Sequence, residues 1–150
     1  MIRAVTRASV AAAFCGSVMI LGLAYGISAQ TQPPGWILPA DAEEKKNPHA
    51  VDEKFLSAGM AIYKDKCARC HGPGGLGDGP DADPDARAEM DLTNPRRAEQ
   101  NPDGVVFYKV WNGRRRPKMP AFSSELTEEQ AWAVVAYTQT LRRATPKSGD

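Results

Sequence analysis

The 150-residue chain carries three cysteines and two histidines, and three of those five side chains fall within residues 67–71, Cys-Ala-Arg-Cys-His. Two thiols three positions apart with an imidazole directly after them form the attachment pattern for a c-type haem. The chemistry explains the spacing. The thiols of Cys67 and Cys70 add across the two vinyl groups on one edge of the macrocycle and form thioethers. The two intervening residues set the distance between the sulfurs. His71 then comes under the ring centre and supplies nitrogen to iron. Covalent attachment keeps a cofactor on a small domain in an open compartment.

Other chemistries use the same residue types. A disulfide between Cys67 and Cys70 suits an oxidising compartment and would make the chain a structural secreted domain. A redox dithiol of the thioredoxin kind needs a β-α-β pattern, and no strand-like alternation stands out here. Zinc needs four ligands, and after Cys67, Cys70 and His71 the remaining histidine is His49. The acidic run Asp78, Asp81, Asp83 and Asp85 does not follow EF-hand spacing and reads as a solvated turn. The haem reading accounts for most of the surrounding chain.

The elements that must position the motif follow from composition and periodicity. Arg3 and Arg7 precede an uncharged stretch at residues 8–29 that ends in small residues. A basic start, an apolar middle and a small-residue end are the layout of an export signal. The stretch is also long enough to stay as a membrane anchor. Either way residues 1–29 send the remaining chain out of the cytoplasm, because the arginines stay inside. Cys15 follows the bulky Phe14 in mid-stretch, which argues against lipidation. Losing Arg3 and Arg7 turns 19 basic and 18 acidic side chains into 17 against 18. Nothing in that balance suggests a polyanion binder.

Residues 30–47 are rich in proline and charge and read as a linker or strap, with Trp36, Ile37 and Leu38 available to pin it. A domain is expected over residues 48–145, with a flexible tail at 146–150. Apolar residues at three- and four-residue spacing predict a helix over residues 51–66. Gly59 on its apolar face costs helix stability and suggests close approach by another helix. Residues 72–87 are dominated by glycine, proline and aspartate, a loop long enough to need an organiser. A short helix is predicted over residues 103–112, ending at Gly113, with Val106, Phe107, Val110 and Trp111 apolar. Thr127 and Gln130 form a capping-box pattern before a last helix holding Trp132, Val135 and Leu141. Arg142 and Arg143 suit that helix's negative end. The body reads as all-α.

Over residues 47–143 the sequence resembles the class I, monohaem c-type cytochromes. The resemblance rests on GMAIYKDKCARCHGPGGLGDGP, GVVFYKVWNG, KMPAF and AWAVVAYTQTL, in the family's order. It implies a cytochrome c-like fold of three to five helices around one covalently bound haem, with long Gly/Pro-rich loops. It implies that the helix before the motif crosses the last helix, with Gly59 and Tyr63 facing residues 132–137. It also implies a methionine as the sixth iron ligand. Met19 leaves with the signal or sits in the membrane, and Met60 reads as core. Met90 follows His71 closely for a chain that must wrap round the ring edge. Met119, between Lys118 and Pro120 in an irregular segment, matches the family's ligand site. Met90, His49 and an open site are the other options. The resemblance further makes the carbonyl of Pro80 the acceptor for the ring N–H of His71.

His71 and Met119 on one iron would raise its potential and leave little room for oxygen or peroxide. The function implied is one-electron transfer rather than enzyme catalysis, as a periplasmic carrier or an electron-transfer subunit of a respiratory or dehydrogenase complex. A catalytic or sensing haem protein with an open sixth site is the alternative. Arg114, Arg115, Arg116 and Lys118, with Lys109, Arg96 and Arg97 in reach, offer a positive rim for an acidic redox partner. An arginine among them could pair with a haem propionate. The plain reading of the same run is a solvated loop.

Overall fold

The computed structural model describes residues 35–144. The signal or anchor at residues 1–29, Cys15 and Met19 within it, residues 30–34 of the strap and the tail at 146–150 lie outside the described residues, as does the side chain of Arg143. Two compact units, Met1–Thr31 and Gln32–Asp150, divide the chain, and every described residue belongs to the second.

The first helix begins at an Asp52 cap, whose carboxylate accepts the N–H of Phe55 at 2.7 Å. This satisfies one of the donors that a helix start leaves unpaired. α1 (Glu53–Ile62) does not stop near Lys66. It passes through one π turn, Tyr63–Cys67, into α2 (Ala68–His71), so the helical path carries the whole Cys-Ala-Arg-Cys-His motif. The π turn ends with the Ala68 N–H on the carbonyl of Tyr63. Each extra residue in a turn rotates the next segment by about 100°, so α2 presents a different face from α1. Propensity alone carries no signal for that turn.

The Gly/Pro/Asp segment after His71 is organised by the carbonyls at the end of α2. Gly77 N–H bonds His71 O at 2.8 Å, Asp81 N–H bonds Arg69 O at 2.8 Å, and Gly79 N–H reaches Cys70 O at 3.4 Å. Arg69 and Asp81 add an ion pair at 2.6 Å. The loop thus caps the helix that bears the motif. A 3-10 turn at Pro84–Ala86 leads into α3 (Arg87–Met90), and α4 (Pro95–Glu99) comes next. α5 (Asp103–Asn112) ends at Gly113 as expected. α6 (Glu128–Ala144) starts from the expected capping box: Gln130 Oε1 accepts the Thr127 N–H at 2.9 Å and Thr127 Oγ1 accepts the Gln130 N–H at 3.2 Å.

Gly59 sits where α1 crosses α6. A Cβ placed there would lie 2.0 Å from the carbonyl oxygen of Ala133, so only glycine permits this approach. Tyr63 continues the seam with its ring 5.2 Å from that of Tyr137. Trp132 faces elsewhere than the resemblance implies: it stacks on Phe107 of α5 at 4.3 Å. It is 1% exposed because the α5–α6 crossing encloses it. Tyr63, Phe107, Val110, Trp132, Val134 and Val135 belong to one buried cluster. Among the described residues no β-strand forms, only the isolated bridges Leu76–Asp91 and Arg114–Met119.

The strap is more closely joined to the body than a linker. A Cβ on Gly104 would collide with Ala42 O at 2.2 Å and Lys45 O at 2.6 Å. Lys45 Nζ lies 4.3 Å from the Phe107 ring centre, a cation–π contact. Trp36 anchors the strap, whereas Ile37 stays 50% exposed. The exposed Leu38 does not pin it either.

Candidate functional site

The π turn, α2, α3, α4, α5, α6 and the segment after α5 line one cleft made of two adjoining cavities. Their empty volumes, including space open to solvent, are about 690 and 520 Å³. Trp36, Cys67, His71, Glu89 and Met119 line both. The first also meets Tyr63, Val110, Val134 and Thr138, and its far wall carries Arg97, Asn101, Lys109 and Arg142. The second meets Cys70, Met90, Arg114 and Phe122. The second cavity, which meets both cysteines, is the sulfur end of the cleft, and cations line both cavities: Arg97, Lys109 and Arg142 in the first, Lys66, Arg114 and Lys118 in the second.

Cys67 and Cys70 are free thiols, not a disulfide. Burial, then the neighbouring Cys70, pushes the Cys67 thiol up to about 12. A thiol held protonated is a poor thiolate nucleophile and a poor zinc ligand. Conversion to a thioether suits it, because that removes the buried S–H altogether. Among the described residues no group of three or more His, Cys, Asp or Glu side chains could hold a metal ion. His49 stacks on Phe55 at 5.4 Å and lines neither cavity, so it joins neither Cys67 nor Cys70. Of the acidic loop, Asp81 pairs with Arg69 and Asp83 accepts the Asp85 N–H at 3.0 Å.

His71 is held from behind. Its Nδ1 lies 2.6 Å from the carbonyl oxygen of Met90. A carbonyl only accepts, so Nδ1 carries the proton and Nε2 is left as the basic nitrogen. Burial is the main force holding the imidazole below its ordinary range, that is, neutral. This corrects the expectation for Pro80. The bonds of Gly79 and Asp81 to α2 backbone keep that proline against Cys70 and Arg69. Leu92 N–H on Gly75 O at 2.7 Å and the Leu76–Asp91 bridge bring α3 to the imidazole instead. Tyr63, wholly buried, donates its hydroxyl to Gly72 O at 2.7 Å and fixes the chain just beyond the histidine.

Met119 is presented by a tight return of the chain. Arg114 N–H bonds Met119 O at 2.9 Å and Met119 N–H bonds Arg114 O at 3.0 Å. Gly113 makes the return possible. Its φ is +62°, and a Cβ there would lie 2.5 Å from Met119 O. Met60 is half-buried in α1 and lines neither cavity. Met90 is buried and does line the sulfur end, but its backbone sits behind the His71 ring.

Arg114 leaves the expected positive rim. Its side chain is 11% exposed and pairs with Glu89 at 2.7 Å. Its guanidinium carbon lies 4.4 Å from the Trp36 ring centre. Its Nε is buried with no hydrogen-bond partner. Arg115, Arg116 and Lys118 remain exposed, as does Arg96. Lys109 and Arg97 turn toward the cleft. Lys109 is pulled down to about 8, first by burial, then by Arg97, Arg114 and Arg142.

Two thiols and an imidazole at one end, a thioether on the shared wall and an unpartnered buried guanidinium N–H fit a haem. Sequence reasoning offered Met90 only as an alternative iron ligand and Trp36 only as a pin for the strap, and missed Asn101 and Glu89. No spacing or residue type signalled those two.

The family model for cytochrome c oxidase, cbb3-type, subunit III matches residues 55–137. Among solved structures, the KustC0563 c-type cytochrome is 25% identical with a TM-score of 0.44, over 56% of this chain and 96% of that one. A chain of the Kuenenia stuttgartiensis reducing HAO-like protein complex Kustc0457/Kustc0458 is 27% identical with a TM-score of 0.48, over 67% of this chain. The match spans 54% of that second chain. No curated protein matches.

Proposed function

The chain belongs to the c-type cytochrome family represented by the cbb3-type oxidase subunit III domain, and from that premise we propose that it carries single electrons on one covalently bound haem with His71 and Met119 as axial ligands. Membership makes haem-based electron transfer its chemistry and the all-α architecture a cytochrome c fold. The observation that carries the finer reading is the shared cleft: Cys67, His71 and Met119 line it together, and His71 turns Nδ1 away to Met90. When bound, the haem supplies one-electron exchange at iron.

The chain's own residues do the rest. Cys67 and Cys70 tether the cofactor. Met90 orients His71 and increases its basicity as a ligand. Met119 supplies a thioether, which favours ferrous iron relative to a second imidazole or a thiolate. Met90 is the weaker candidate for that role, because a residue whose carbonyl backs the imidazole lies on the histidine's own side. Tyr63, Val110, Val134 and Phe122 keep water from the ring.

The uncharged stretch at residues 8–29 supports export to the periplasm, whether as a free carrier or held at the membrane. Among the described residues no helix is long and apolar enough to cross a membrane. Exposed Arg115, Arg116 and Lys118 beside Met119 support docking of an acidic redox partner, within or outside a larger oxidoreductase complex.

Met119→Ala in the matured protein tests the reading. The expected outcome is a low-spin spectrum in the wild type that becomes high-spin in the variant, with a lower midpoint potential. A spectrum unmoved by the substitution overturns Met119 as ligand. A wild type already high-spin indicates an open sixth site and a catalytic or sensing role. Intact mass checks the tether: the chain gains one haem that denaturation does not release.

A further inference from the structure

The strap precedes residues 55–137, the part of the chain matched by the family model, and it is fastened at both ends of α5. At one end a turn places the Lys45 N–H on Asp41 O at 3.1 Å and buries Ala42 against the start of the helix at Gly104. There Lys45 Nζ sits 4.3 Å from the Phe107 ring centre and 4.7 Å from that of Tyr108. At the other end Asn112 donates its side-chain amide to Ile37 O at 3.3 Å. The strap therefore runs back along α5, and its second fastening holds the backbone next to Trp36.

Of the five residues that line both cavities, Cys67, His71 and Met119 are the proposed attachment thiol and axial ligands, and Glu89 is paired with Arg114. The fifth is Trp36. It is half-buried, so its indole stands between the cleft and water. The Arg114 guanidinium carbon lies 4.4 Å from its ring centre and the Lys109 ammonium 5.1 Å. Two cations from different segments thus hold one ring. Arg114 in turn holds Met119 through backbone bonds of 2.9 and 3.0 Å. A line of contacts runs from the strap to the proposed sulfur ligand.

We propose that Trp36 is a positioning residue for electron transfer: its indole closes the cleft where the two cavities meet, keeps water and small ligands from the iron, and steadies Met119 through Arg114. This rests on the haem reading above. An apolar ring at the mouth lowers the local dielectric, which disfavours the more highly charged ferric state and raises the potential. Entry of a small ligand then requires the strap to lift, a local opening that gives up both cation–π contacts. The strap restricts the site to electron exchange by denying other molecules the sixth position.

The test uses the matured holoprotein, imidazole as the probe of entry to ferric haem, and the midpoint potential. Trp36→Ala should take up imidazole about tenfold faster than the wild type, read as loss of the near-infrared sulfur-to-iron band, and should have a lower potential. Trp36→Phe keeps an aromatic face for Arg114 and should return both values toward wild type. Imidazole uptake by Trp36→Ala at the wild-type rate overturns the proposal, even where the denaturant midpoint has fallen, because a strap that only pins the fold would lose stability alone. If Trp36→Ala fails to mature, Trp36→Leu, which keeps an apolar pin, decides by the same readouts. Failure of the haem reading has separate signatures: wild-type protein without tethered haem, or a wild type already high-spin.

Discussion

At the residue scale the site is a set of side chains whose alternatives have been removed. His71 cannot offer Nδ1 to a metal, because Nδ1 keeps its proton and donates it in a hydrogen bond to Met90 O. Cys67 cannot easily become a thiolate, because burial opposes the charge. Met119 cannot drift, because its N–H and C=O both bond Arg114 and Gly113 sets the turn. Gly113→Ala tests this last link. It places a Cβ at positive φ and against Met119 O, a strain of about 1–3 kcal/mol. The expected result is a lower thermal midpoint and earlier loss of the near-infrared sulfur-to-iron band. Unchanged band stability would show that the turn does not govern Met119.

At the element scale two features join the segments that carry the proposed ligands. The first is the α1–α6 crossing at Gly59. Gly59→Val drives a branched side chain into Ala133 backbone and should cost about 3 kcal/mol, seen as a lower denaturant midpoint. The second is α3. Its Met90 carbonyl backs His71, while the adjacent Glu89 carboxylate holds Arg114, whose backbone holds Met119. One turn of helix thus ties both faces of the cleft. Glu89 is half in water, which limits the pair to about 1 kcal/mol. Glu89→Gln should let the sulfur-to-iron band disappear at lower denaturant than the far-UV helical signal, where the wild type loses both together. Coincident loss in the variant would mean that the pair is incidental.

At the scale of the whole molecule, charge is sorted by depth. Arg97, Lys109, Arg114 and Arg142 face the cleft, Lys118 is exposed at the edge of the second cavity, and Arg115 and Arg116 stay on the surface near Met119. On the proposed function, inward cations would act on the cofactor and outward ones on encounter, where steering changes association rates more than affinity. Replacing Arg115, Arg116 and Lys118 with glutamine should slow electron exchange with an acidic redox protein about tenfold at low salt and flatten its salt dependence. The midpoint potential should move little. Stopped-flow kinetics across ionic strength checks this, and an unchanged rate would make the run a solvated loop.

The local determinants were legible in sequence because they act over a few residues. The Cys-Ala-Arg-Cys-His spacing, the capping box at Thr127, the stop at Gly113 and the crossing signalled by Gly59 are all of this kind. The choices that needed the folded chain were between groups of the same type. Any carbonyl can accept from His71, and only the wrap of residues 75–92 decides for Met90 over Pro80. Arg114, Arg115 and Arg116 are identical in composition, and only the Arg114–Met119 bridge turns the first inward. Trp132 has the same periodicity whether it faces α1 or α5. Short-range chemistry is written in residue type and spacing, whereas selection among equivalent partners depends on distances that exist only after the helices pack.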